Sequence, residues 1–100
     1  MRRKIPPLQT LVCFDAAARH ESYTRAAQEL ALTQSAVSRQ IGALESFLGV
    51  PLFRRTRHGV ALTASGAAYA RQIARRLEAM ERDTLDAMAR QGEGGSLSLA

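Results

Sequence analysis

Tryptophan is absent from the chain and cysteine occurs once. A single cysteine excludes an internal disulfide framework, so nothing in cysteine usage argues for secretion. Set between Val12 and Phe14, Cys13 reads as a small buried hydrophobe. No apolar run approaches the ~18 residues of a membrane span. The basic start Met1-Arg2-Arg3-Lys4 is followed by Pro6-Pro7 rather than by a continuous apolar stretch, and does not read as a signal peptide. Glycine loops of the Walker or dinucleotide type are missing; Gly92-Glu93-Gly94-Gly95 reads as a flexible linker. His20 and His58 have no cysteine or histidine neighbour at metal-ligand spacing and no nucleophile arrangement. The sequence therefore offers neither a metal site nor a catalytic constellation, and an enzyme is not expected. Acidic residues are in short supply, 9 against 14 Lys+Arg, which leaves a net charge of +5 and a pI near 10.7.

What is present is an ordinary globular balance, 46% hydrophobic and 23% charged over 100 residues. That length suits one domain, with room for an appendage. A small basic domain points to an anionic partner, nucleic acid before membrane. The charge is unevenly placed. Residues 1–58 hold nine basic and four acidic residues, whereas residues 59–100 hold five of each. The anion-binding surface is expected in the first part.

Pro6-Pro7 suits the first turn of a helix, and Leu8, Leu11, Val12, Phe14 and Ala18 follow at helical spacing. This helix is expected to end near Arg19-His20. Ser22 is an N-cap for a short helix from Tyr23 to Leu30, and Thr33 for a third from Gln34 to Leu48. Two helices joined by so short a break form a helix-turn-helix, although the turn here lacks the common glycine. At ~100° per residue, Val37, Ile41, Leu44 and Leu48 of the third helix face one way. Ser35, Ser38, Arg39 and Gly42 face the other. That outward face is small, polar and cationic, as a helix pressed into a DNA major groove requires.

Leu52–Arg55 and Val60–Leu62 read as two short strands around a turn ending at Gly59. The hairpin carries Arg54, Arg55, Arg57 and His58, a basic wing suited to phosphate or minor-groove contact, with a merely solvated face as the alternative. Arg39 can donate two hydrogen bonds to a guanine, or contact a phosphate, or stay solvated. Gln34 can read an adenine or face a phosphate near the helix start. Ser38 is expected to touch nucleic acid, with a merely solvated serine as the alternative. Thr24, Arg25 and Thr33 stand at helix starts, where backbone contact and simple solvation or capping both fit.

Thr63 is placed to cap a fourth, longer helix running to Gln91. Along it Ala70, Ile73, Leu77, Met80, Thr84 and Ala87 recur in steps of three and four, a heptad-like seam with one polar member. Nothing in the first 62 residues is left over to cover so long a seam, so it is expected to bury against a second copy or a partner. Gly92 is a C-cap in this reading. Ser96-Leu97-Ser98-Leu99 alternates like the start of a strand, as in a fragment or truncation of a longer protein.

Several stretches together resemble the N-terminal DNA-binding region of LysR-type transcriptional regulators. They are Tyr23-Thr24-Arg25-Ala26-Ala27, Leu32 to Ile41, Leu44-Glu45, Leu48 to Arg55 and Leu62-Thr63-Ala64-Ser65-Gly66. The likeness spans about residues 6–92, and Pro6-Pro7-Leu8 with Ala16 to His20 looks most like the subgroup around glycine-cleavage activators. The resemblance implies a mainly α-helical winged helix-turn-helix over residues 1–63 and a dimerising linker helix over 64–91. It also implies a hinge over 92–100 leading to an absent effector domain, which would bind a small molecule. No cofactor is expected in these 100 residues. The family's base-reading positions map onto Gln34, Ser35, Ser38 and Arg39. Serine stands at 35, often proline in relatives, and glycine at 42, often Arg or Lys, so one basic DNA contact is lost there. The implied partner is double-stranded promoter DNA, bound in the cytoplasm by a homodimer, with tetramer formation left open. A non-specific architectural DNA binder is the alternative.

Overall fold

A computed structural model describes residues 3–93. The order is α1 (Leu8–His20), α2 (Tyr23–Leu30), α3 (Gln34–Leu48), β1 (Phe53–Thr56), β2 (Gly59–Leu62) and α4 (Ala64–Glu93). The N-caps expected at Ser22 and Thr33 form. The Ser22 hydroxyl oxygen accepts from the Arg25 amide at 3.1 Å and the Thr33 hydroxyl oxygen from the Ala36 amide at 3.0 Å. Each satisfies a helix-start donor that would otherwise lack a partner. The turn without glycine is made by Ala31, which takes the left-handed conformation at φ 58°. The Leu32 amide closes back onto the Ala27 carbonyl at 2.9 Å, which holds the alanine there.

The core lies where α1, α2 and α3 converge. Phe14, Val37, Ile41, Leu44 and Leu52 are fully buried, as the angular reading of α3 requires. Cys13 is buried too, and burial pushes its thiol above the ordinary value. The Phe14 ring meets Phe53 edge-on at 5.8 Å and Tyr69 at 5.5 Å, and Phe53 meets Tyr23 at 5.4 Å. One aromatic cluster therefore joins α1, α2, the wing and α4. The wing is an antiparallel pair, Phe53 opposite Leu62 and Thr56 opposite Gly59, with Arg57-His58 as the turn.

Two expectations about α4 are corrected. It runs on through Gly92 to Glu93, so Gly92 is helical and not a C-cap. The seam is also not left wholly for a partner. Ile73 is buried in this chain's own core, with Ala70 and Leu77 packed against it, because α1 lies along the first part of α4. Met80, Thr84 and Ala87 lie beyond that cover and are exposed, as are Leu85 and Met88. The linker and strand readings at Gly94-Gly95 and Ser96–Leu99 fall outside the described residues.

The start of α4 is fastened to the start of the wing. The Thr63 hydroxyl donates to the Pro51 carbonyl at 2.8 Å and its oxygen accepts from the Gly66 amide at 3.0 Å. Gly66 packs so closely that an added Cβ would lie 2.0 Å from the Leu52 carbonyl oxygen. Gly66→Ala is therefore expected to destabilise the fold by about 1–3 kcal/mol. Gly42→Ala, whose Cβ would meet nothing within 4 Å, is expected to stabilise it by about 1 kcal/mol through helix propensity. Urea melts followed by circular dichroism check these opposite signs.

Candidate nucleic-acid interface

The exposed face of α3 and the wing adjoin. Ser38 and Gly42 of the helix and Arg54 and Arg55 of β1 line one open cleft of about 240 Å³, floored by Tyr23, Glu45, Phe53 and Val60. Ser38 is half-buried at its edge. Gln34, Ser35 and Arg39 are exposed on α3, Thr24 and Arg25 at the start of α2, and Arg57 and His58 at the wing turn. These seven residues do not line the cleft. Thr33 is exposed and its hydroxyl is engaged in capping, which leaves its second lone pair and its hydrogen for other partners.

The arginines fall into two groups. Arg19 is consumed internally: it donates to both Glu29 carboxylate oxygens, at 3.0 and 2.6 Å, and to Asp15 at 3.1 Å. His20 meets the same Glu29 at 2.8 Å. The hydrogen bonds from Arg19, then His20, hold the Glu29 carboxyl down at about 2. Among the described residues no such ion pair engages Arg25, Arg39, Arg54, Arg55 or Arg57. Five guanidinium groups around α3 and the wing therefore keep their donors available for an external anion. The start of α3 adds the partial positive charge of a helix N-terminus.

Acidic residues near this surface escaped the sequence reading, and they face the backbone rather than the arginines. Glu45 on α3 accepts from the amides of Leu52 at 2.7 Å and Phe53 at 3.2 Å. Glu21, in left-handed geometry at the end of α1, accepts from the Leu62 amide at 3.1 Å. Tyr23, between helix and wing, is pushed up to about 12 by burial and then by the Glu45 charge, with Arg55 opposing. The only signal available beforehand was the rarity of acid among residues 1–58. Among the described residues no group of three or more His, Cys, Asp or Glu could hold a metal ion. No helix there is long and apolar enough to cross a membrane.

Glu29 carries a pH prediction. Its folded-state value lies below the usual carboxyl value of 4.5, so its contribution is present above pH 4.5 and fades as pH falls toward about 2. The pair is partly solvated, so the effect is at most about 1 kcal/mol. Glu29→Gln is expected to flatten the stability profile between pH 5 and 2 relative to the parent chain, as measured by urea melts at each pH.

Comparison with known proteins gives this geometry a family context. Residues 8–67 match the family described as "Bacterial regulatory helix-turn-helix protein, lysR family". The chain is 47% identical over 94 residues to the "Glycine cleavage system transcriptional activator" of Escherichia coli strain K12, covering 94% of this chain and 31% of that protein. It is 55% identical over 60 residues to the "HTH-type transcriptional activator AmpR" of Pseudomonas aeruginosa, covering 60% of this chain and 20% of that one. It thus spans about a third of the length of the glycine-cleavage relative. Its fold is similar to that in the "Crystal structure of CbnR_DBD-DNA complex", with a TM-score of 0.76, 34% identity, and coverage of 84% of this chain and 97% of that one. Both curated relatives are named as transcriptional activators.

Proposed function

Because the chain belongs to the lysR family of bacterial regulatory helix-turn-helix proteins, we propose that it binds duplex DNA sequence-specifically and so regulates transcription. The observation that carries this reading is the set of arginines without internal ion pairs on α3, the wing and the start of α2, beside the small polar face of α3. An α-helix of about 10–12 Å diameter matches a major groove about 12 Å wide. Short side chains at Ser35 and Ser38 let the α3 backbone approach the base edges. Arg39 reaches further and is assigned a guanine, Gln34 an adenine or the adjacent phosphate. Arg54, Arg55, Arg57 and His58 take the flanking backbone, and Thr24, Arg25 and Thr33 the strand opposite the start of α3. Phosphate contacts fix the register while base contacts specify the sequence. Such a regulator would act in the cytoplasm, where bacterial promoter DNA lies.

The same reading includes a homodimer through the uncovered part of α4. Met80, Thr84 and Ala87 continue the helical face that Ile73 and Leu77 begin, and Met88 adjoins it. A second copy would bury what α1 does not reach and would hold two α3 helices one DNA turn, about 34 Å, apart. The double substitution Met80→Asp with Met88→Asp is expected to raise the dimer dissociation constant by about tenfold or more, as sedimentation equilibrium would show. An unchanged constant would remove α4 from the interface.

Selection from a random duplex library at physiological salt tests the DNA reading. A two-fold symmetric consensus is expected. Arg39→Ala is expected to cost about 1–3 kcal/mol and to relax preference at one base pair of each half-site. Binding that persists without any consensus would point to an architectural, sequence-indifferent protein instead.

A further inference from the structure

The wing can place its arginines on a defined phosphate only if its distance from α3 is fixed. Thr63 ties the neighbouring segment to α4, not to α3. The polar tie between α3 and the first wing strand is Glu45. It stands seven and eight residues before its two partners, across the Gly49-Val50-Pro51 turn. A single carboxylate oxygen receives both the Leu52 and the Phe53 amide. The next two residues are Arg54 and Arg55. Tyr23 supports the same point from the other side, its ring edge-on to Phe53.

A glutamate beside an anion-binding face is electrostatically adverse unless it has another task. Its carboxylate is directed into backbone donors, and it lines the cleft that Ser38, Gly42, Arg54 and Arg55 share. We propose that Glu45 is a positioning residue for DNA recognition: by accepting the Leu52 and Phe53 amides it sets the reach of Arg54 and Arg55 onto the flanking phosphates. The proposal rests on the DNA-binding reading. The acceptor oxygen does the positioning, and the negative charge is incidental to it.

The test uses the 100-residue chain, the consensus duplex selected above and a scrambled duplex, with affinity followed from 50 to 200 mM salt. The parent chain comes first. If it binds neither duplex, the DNA-binding reading itself fails. Given parent binding, Glu45→Ala is expected to flatten the dependence of log affinity on log salt by about one to two units per protomer. Preference for the base pairs facing Ser35 to Arg39 is expected to remain. Glu45→Gln retains an oxygen acceptor and is expected to restore the parent slope while binding at least as tightly. If Glu45→Ala melts below the assay temperature, Glu45→Asp, which withdraws the acceptor by one methylene but keeps the charge, is expected to show the flattened slope. A parent-like slope in folded Glu45→Ala, or in Glu45→Asp where that carries the test, overturns the proposal. So does an equal loss of slope in Glu45→Gln, because charge rather than the acceptor would then be responsible.

Discussion

Phe14 has no exposed surface, and its ring touches the first residue of the wing and the first turns of α4. Everything peripheral depends on that contact. A three-helix unit this small buries limited apolar area, and its hairpin would be marginal alone. By placing one aromatic on α1 against both Phe53 and Tyr69, the chain attaches the wing and the long helix to the same core that orients α3. Loss of the ring would leave a cavity shared by three elements, so the geometry of the arginine-bearing surface depends directly on core packing.

Above that core the charges are sorted. Arg19 is neutralised against Asp15 and Glu29 at the α1–α2 corner, where the His20 ring also meets Glu29. The acids nearest α3 and the wing are occupied with backbone amides. The arginines between them retain their donors. A positive field concentrated this way speeds encounter with a polyanion and makes affinity fall steeply with salt.

Most of the frame was legible in the sequence because it depends on local rules. Ser22, Thr33 and Thr63 announced three helix starts, and apolar spacing placed the inward face of α3. The α2 and α3 boundaries agree to the residue. What escaped was set by contacts between distant segments. No spacing rule showed that α1 would cover Ala70, Ile73 and Leu77, because seam periodicity is the same whether the cover is internal or a second copy. Ala31 adopts a glycine-like conformation since its neighbours' hydrogen bonds enforce it. Glu45 sat unremarked in a matched motif, its task visible only once β1 was folded back against α3. The candidate site residues rest on position and type, and the structure shows that Ser38, Arg54 and Arg55 among them share a cleft.

One residue, Thr63, separates the end of β2 from the start of α4, and its hydroxyl is bonded on both sides. With Gly66 seated against the Leu52 carbonyl, there is no slack in that joint. The direction in which α4 leaves the wing is therefore set at a single residue, with no loop between the two elements to vary it.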